Sequence, residues 1–381
     1  MAPKLNILAI ELIEKIASEL EPVDLFSLRL VCKELNKKTL HAFGRSCLAT
    51  IQTDLSRKSL QRLGELSEHE QLKHYVRTLL IKGPNDIGRE FLWNRHPSGY
   101  LVPPLPAVQI LRDILLNNLV NCRSFHIYRD HEEEDVYESD CLTPSDVVGI
   151  ILSIITETSL PVKSFIVDFR KWGTGEVDAK RLQILQYRSP EFRSAWAHLQ
   201  ELSLEQSMTL DTFDWTLDLV LSATSLQKLT LRFEFDLSAE FIDRLSSSEI
   251  FPRLREFCLS SAYTTLEVIS RLLLRVRNSL RKISFYQVSI VSGGTWGTVF
   301  REISHLPLLE SINVNFLADY NQGRVMFPAI SDNPIVPKSQ GRSFNFVYKK
   351  HSGRPRIFGV SYRGPGIGLA LEILEKSVEY V

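Results

Sequence analysis

The sequence predicts an α/β protein in three parts: a helical N-terminal motif, an irregular repeat solenoid of alternating strands and helices, and a C-terminal hairpin cap. Three observations predict it. Two amphipathic helical segments fill the first forty residues, one apolar template recurs eight times behind them, and two alternating segments near the C-terminus flank a short turn. The expected boundaries are 1–50 for the helical motif, 51–75 for linking helices, 76–320 for the solenoid and 321–381 for the cap.

In the first segment Leu12, Ile16 and Leu20 fall at helical spacing with Ile13 beside them, and Glu11, Glu14, Lys15 and Glu19 fill the other face. Pro22 is expected to stop this helix, and Asp24 to cap a second one from about Leu25. That helix carries Leu28, Val31, Cys32 and Leu35, with Lys33, Lys37 and Lys38 toward its end, where cations complement the helix dipole. Forty residues bury too little surface to satisfy both apolar faces internally. Some of these leucines must pack on the rest of the chain or on a partner; an ordinary helical hairpin capping the next domain is the plain alternative.

The stretch LAIELIEKIASELEPVDLFSLRLVCKELNKKTLHAF resembles an F-box of the fungal type. Leu8, Glu11, Leu12, Ile16, Leu20, Asp24, Leu25, Leu28, Arg29, Val31, Cys32 and Lys33 match that family's pattern, over about a tenth of the chain. The departure is Ala9 where the family has proline, which in such proteins helps set the first turn against the adaptor. The resemblance implies a Skp-type adaptor as partner and, through it, cullin and RING subunits, with apolar anchors inserted in a groove. The expected anchors are Leu8, Leu12, Ile16, Leu20, Leu25, Leu28 and Val31, some of which must instead hold the motif together.

Behind it the template L-[K/R/Q/E]-x-L-x-L, with other apolar residues allowed at its three L positions, starts at 76, 122, 162, 199, 226, 254, 280 and 309. The last five starts are 27, 28, 26 and 29 residues apart, and the earlier gaps of 46, 40 and 37 carry insertions. Helical patterns lie between, such as TPSDVVGIILSIITETS, DTFDWTLDLVLSATS and TTLEVISRLLLRVRNS, each opened by a capping-type residue. One short strand plus one helix per unit is the geometry of a leucine-rich repeat, and the chain resembles the degenerate repeats of F-box proteins. Positions 1, 4 and 6 then face the core. The third, fifth and following positions face outward, and from them His126, Tyr128, Asp168, Glu201, Glu205, Lys228, Arg232, Glu256, Lys282, Tyr286, Asn313 and Asn315 are expected to bind a target protein. A doubly wound enzyme shares the alternation, but neither early turn, Lys82–Pro84 or Tyr128–Asp140, has the glycine-rich phosphate signature.

Chemistry-bearing patterns are sparse. Cys122, His126, His131 and Cys141 have ligand types at a spacing that fits no standard zinc site, and Cys122 holds a core position of the template. The seven acids within Asp130–Asp140 read as a solvated loop, without the glycine of a calcium loop. Gly293-Gly294 and the cluster Gly364–Gly368 lack a P-loop lysine and read as turns. No G-x-S-x-G or H-E-x-x-H occurs. A non-catalytic chain without cofactor or metal is expected.

Near the C-terminus, SFNFVYK and RIFGVSY alternate around His351-Ser352-Gly353, a hairpin pattern. Seven bases and no acid lie between Asn333 and Arg363: Lys338, Arg342, Lys349, Lys350, Arg354, Arg356 and Arg363. Interleaved aromatic and basic residues suit a nucleic-acid platform or an acidic protein, but a solvated hairpin that closes the repeats is the preferred reading, since terminal repeats need a cap. Lys plus Arg and Asp plus Glu number 45 each, which argues against a general nucleic-acid binder.

The five scattered cysteines read as reduced thiols, and no apolar run reaches the length of a membrane span, so a soluble cytoplasmic or nuclear protein is expected. The combined expectation is a substrate-recognition subunit of a Skp/cullin/F-box ubiquitin ligase. The alternatives are an adaptor-binding scaffold outside a ligase and a nucleic-acid binder that uses the basic strip.

Overall fold

The structure is a computed structural model that describes residues 5–83, 87–129, 141–169, 177–182, 188–235, 237–248, 253–328, 345–349 and 356–381. The chain divides into two compact units, Met1–Ile154 and Ile155–Val381.

In the first unit a 3-10 turn, Leu5–Ile7, leads into α1 (Ile10–Ser18), α2 (Pro22–Val31), α3 (Lys33–Lys38) and α4 (Leu40–Cys47). Pro22 does not merely stop α1. It occupies the first turn of α2 behind Glu21, where its missing amide is no loss and its fixed φ is preorganised, so Asp24 lies inside the helix and not at its cap. The expected single second helix is broken at Cys32, whose extended backbone (φ −162°, ψ 162°) separates α2 from α3. Gly44 of α4 lies against Tyr75 so closely that a Cβ there would meet the ring at 2.3 Å. The Tyr75 hydroxyl and His41 Nδ1 share a hydrogen bond of 2.6 Å, so the four helices are joined to the chain behind them.

Three strands follow, β1 (Thr50–Thr53), β2 (Thr78–Gly83) and β3 (Ser124–Arg129), paired in parallel in chain order. Helix α5 (Arg57–Glu68) connects the first two, with Ser56 accepting from the Ser59 amide as its cap. Helix α6 (Pro106–Asp113) runs into a π-helical turn, Ile114–Asn118, before β3. Helix α7 (Pro144–Thr158) carries the division between the units. At its start the buried Asp146 carboxylate accepts from Arg95 Nη1 and Nη2 at 2.7 and 2.8 Å, and from the Thr143 amide and hydroxyl at 2.7 and 2.8 Å.

The second unit alternates strand and helix: β4 (Ser164–Asp168), α8 (Pro190–Trp196), β5 (Glu201–Glu205), α9 (Leu210–Ser222), β6 (Lys228–Phe235), α10 (Ser238–Ser247), β7 (Glu256–Thr265), α11 (Leu266–Val276), β8 (Lys282–Ser292), α12 (Trp296–Ser304) and β9 (Ser311–Asn315). These strands pair in parallel in chain order. The remaining elements are β10 (Ala318–Asp319), β11 (Gly323–Met326), β12 (Asn345–Lys349), β13 (Arg356–Arg363), α13 (Ile367–Ser377) and β14 (Glu379–Tyr380). The expected C-terminal hairpin is present as β12 antiparallel to β13, and β13 lies antiparallel on β9.

The template's logic holds at the level of the strand. Positions 1, 4 and 6 of all eight copies are buried, from Val76, Leu79 and Ile81 to Leu309, Ile312 and Val314. Position 2 is polar because it stands at the solvent edge where each strand begins, and in the second unit its carbonyl does the joining. Those of Lys163, Gln200, Gln227, Arg255 and Arg281 each accept two amides from the next copy, at 2.7–3.1 Å. Large rings fill the space between strands and helices, among them Trp196 and Trp296, whose indole N–H groups reach the carbonyls of Leu219 and Ala318, both at 2.8 Å.

A leucine-rich-repeat solenoid is not shown. The helical motif is followed by an α/β region with a mixed sheet: β13 is antiparallel to β9, while β10 is parallel to β8 and β11 antiparallel to β10. The template specifies which side chains of a short strand are buried. It does not specify the connections, and unequal connections do not propagate one repeated unit.

Candidate functional site

Helices α1 and α2 each carry two apolar stripes. On α1 the inner one is Ile13 and Ala17; the outer one, Leu12 and Ile16, has the same four-residue spacing and is left exposed, Leu12 at 53 %. On α2 Leu25 turns inward with half-buried Leu28, while Val23, Phe26 and Leu30, at i, i+3 and i+7, stay outside.

The inner stripes make a small core of Ala17, Leu25 and Ala42, with Leu20, Phe43 and Cys47 packed on it. Arg29 lays its guanidinium over the Phe43 ring, 3.9 Å from the centroid, and its buried Nη1 has no hydrogen-bond partner. Burial pulls the Arg29 pKa down, opposed by Cys47, and burial pushes the Cys47 thiol up, opposed by Arg29. Lys38 Nζ donates to the Leu8 carbonyl at 3.0 Å and pairs with Glu34 at 3.3 Å, which ties the entry turn to α3.

The seven expected anchors therefore separate. Leu12, Ile16 and Val31 are exposed; Leu8, Leu20 and Leu28 are half-buried, with Leu20 against the small core; Leu25 is wholly enclosed in it. The sequence reading missed Ile7, Ile10, Val23, Phe26 and Leu30, the last 86 % exposed. On α2 the signal is a second apolar period through 23, 26 and 30, which overlaps the inner one through Leu25 and Leu28.

The outward sheet positions fall into lanes set by register. In the second unit the third positions align as Ser164, Glu201, Lys228, Glu256, Lys282 and Ser311, a row of alternating charge. Lys228 Nζ meets Glu201 at 2.6 Å, Lys282 pairs with Glu256, and Ser164 donates to Glu201 at 2.9 Å. Burial lowers the Lys228 pKa, but the hydrogen bond and charge of Glu201, then the charge of Glu256, outweigh it and leave it raised. Partly exposed pairs of this kind are worth about 0.2–1 kcal/mol each. The row thus contributes more to surface character than to stability.

In the lane beyond, Asn315 donates to Asn313 at 2.9 Å, and Asn313 donates to Ser284 at 3.2 Å. Tyr286 and Asn313 are exposed, and Glu201, Glu205, Lys228, Arg232, Glu256, Lys282 and Asn315 are half-buried. Asp168, expected to be open to a partner, is buried, because β4 carries buried side chains on both faces. His126 and Tyr128, both half-buried, belong to the first unit's sheet.

Cys122 is fully enclosed, and burial pushes its thiol up to about 12. His131, the acidic run within Asp130–Asp140, and Lys338, Arg342, Lys350, Arg354 and the His351–Gly353 turn lie outside the described residues. Gly293 lies at a bend before α12, while Gly364–Gly366 form a turn before α13, whose first turn contains Gly368. Among the described residues no group of three or more His, Cys, Asp or Glu could hold a metal ion, and no helix is long and apolar enough to cross a membrane.

No curated protein matches the chain. The N-terminal geometry does have a counterpart: residues 5–39 match the F-box domain model, so the exposed stripes of α1 and α2 belong to an F-box, the module that binds the Skp-type adaptor of SCF-type ubiquitin ligases.

Proposed function

We propose that this chain is the substrate-recognition subunit of a Skp/cullin/F-box ubiquitin ligase. The observation that carries the reading is the pair of outer apolar stripes within the F-box match: Leu12 and Ile16 on α1, and Val23, Phe26 and Leu30 on α2. Apolar side chains in that number outside a core of three small or medium residues are stable in water when a partner covers them. Helix-in-groove docking on the adaptor covers them.

In this reading the outward face of the second unit's sheet holds the target. Its charged lane, its asparagines and Tyr286 suit a protein surface, where an aromatic anchor within a polar field dominates affinity. Ubiquitin transfer is the work of the other subunits, and no side chain of this chain takes part in bond chemistry.

The test is affinity capture from cells with the full chain and with Leu12→Asp plus Leu30→Asp. The wild type is expected to retain the Skp-type adaptor and cullin, and the variant to lose both while keeping a set of target proteins. Capture of adaptor without cullin would favour the scaffold reading. Capture of neither by the wild type would overturn the proposal.

A further inference from the structure

The second unit's sheet forks. Strand β8 pairs with β9 from Lys282 to Tyr286, then with β10 at Ser289 and Ile290, so that Gln287 and Val288 are in register with neither β9 nor β10. Strand β9 departs with β13, and the Phe316 amide donates to the Phe358 carbonyl at 2.9 Å. The departure is tight: a Cβ on Gly359 would stand 1.9 Å from Asn315 Oδ1. A crevice of about 430 Å³ opens at the fork, within the size range of small-ligand sites.

Backbone strain is concentrated at the same level. Ser261, Gln287 and Phe316 have φ of 51°, 53° and 53°, and the register places all three one step beyond the aligned row Ser260, Tyr286 and Asn315. Three successive strands thus adopt a left-handed residue that is not glycine, at about 1–3 kcal/mol each. This strain sets Gln287 and Phe316 into the crevice wall.

The lining has a consistent chemistry. Tyr263, Tyr286, Phe316 and Phe358 supply aromatic surface, with Tyr286 edge-on to Phe316 at 5.7 Å and Phe316 stacked with Phe358 at 6.3 Å. Among the described residues Arg324 is the one charged group in the lining. Its side chain forms no ion pair or hydrogen bond among the described residues, and none of the residues lining the crevice is a carboxylate that would oppose an anion. Gln287 adds an amide, to which Ser261 donates at 3.2 Å.

We propose that this crevice binds an aryl anion: a flat aromatic group held against Tyr286 and Phe316, whose phosphate or carboxylate is met by Arg324. The site is separate from adaptor docking and does not depend on it. The same group can arrive as a free molecule or as a side chain of a bound protein, and the two sources can be told apart.

The experiment titrates the full chain with 1-naphthyl phosphate, followed by fluorescence, beside neutral 1-naphthol and a phosphotyrosyl pentapeptide. Saturable binding of 1-naphthyl phosphate is expected, weakened about tenfold or more by Arg324→Ala, the loss of a charge-assisted hydrogen bond. Binding of 1-naphthol is expected to be weaker in the wild type and insensitive to that change. Phe316→Gly suits the left-handed backbone while removing the ring, and is expected to weaken both naphthyl probes. Tighter binding of the peptide assigns a protein source, and tighter binding of the free anion a small molecule. Absence of saturation, or equal affinity in wild type and Arg324→Ala, would overturn the proposal. Should Phe316→Gly misfold, the exposed Arg324 still decides. The Leu12→Asp plus Leu30→Asp variant is expected to bind the probe as the wild type does.

Discussion

Leu25 and Leu30 stand five residues apart on one helix and should fail in opposite ways. Leu25 is fully enclosed by Ala17, Ala42, Leu20, Phe43 and Cys47, so Leu25→Ala leaves a cavity in a core that has little else. Such truncations cost about 2–5 kcal/mol, comparable with the whole stability of many domains at about 5–15 kcal/mol. The four N-terminal helices are expected to open locally. Leu30 is 86 % exposed, so Leu30→Ala should change folding by no more than about 0.5 kcal/mol. If the adaptor buries that side chain, its loss removes about 1.5–3 kcal/mol of docking, roughly a tenfold to hundredfold rise in Kd. Hydrogen exchange over residues 5–47, paired with calorimetric titration of purified Skp-type adaptor, reads both quantities. Faster exchange is expected for Leu25→Ala alone, and a weaker Kd with unchanged exchange for Leu30→Ala. Loosened exchange in Leu30→Ala, or an unchanged Kd, would refute the division into inner and outer stripes.

Three further outcomes follow from the geometry. Ala9 holds φ −59° and ψ 150° at the cap of α1, a backbone proline also adopts, so Ala9→Pro should stabilise the motif by about 0.4–1 kcal/mol, seen as slower exchange in α1. Asp146→Ala strands the Arg95 guanidinium beside α7 and should cost about 3–5 kcal/mol in a urea titration, whereas Asp218→Ala, which removes an exposed ion pair with Arg188, should cost under about 1 kcal/mol. The Cys122 pKa is raised from 9.0 to about 12, so the folded state holds that proton longer than the unfolded one. Its contribution is complete below pH 9 and declines by about 1.4 kcal/mol per pH unit up to about pH 12, a slope that Cys122→Ala should remove from alkaline denaturation curves.

Much of the local structure was legible because burial and period are local properties. Every residue at positions 1, 4 and 6, from Val76 to Val314, is buried as the spacing predicts, since alternate side chains on a strand take opposite faces; Asp168 departs because β4 is buried on both of its faces. The SFNFVYK and RIFGVSY alternation anticipated β12 and β13, which pair antiparallel. The F-box was readable from a dozen ordered positions, and the family comparison places it at residues 5–39. The errors came where several local signals competed. Pro22 starts α2 as well as ending the reach of α1, and α2 carries two overlapping apolar stripes.

The sequence by itself determined the F-box pattern, the strand cores at positions 1, 4 and 6 and the helices between them. Those choices depend on side-chain spacing along one element, and spacing is written in the chain. Tertiary structure decided what each buried or exposed residue then does. Packing among α1, α2 and α4 made Leu25 part of the core and left Leu12, Ile16 and Leu30 outside, because only their mutual approach defines an inside. Register between strands aligned Glu201, Lys228, Glu256 and Lys282 into one lane. The departure of β9 toward β13 opened the crevice beside Arg324, gathering residues up to 95 positions apart, from Tyr263 to Phe358, that no periodicity connects.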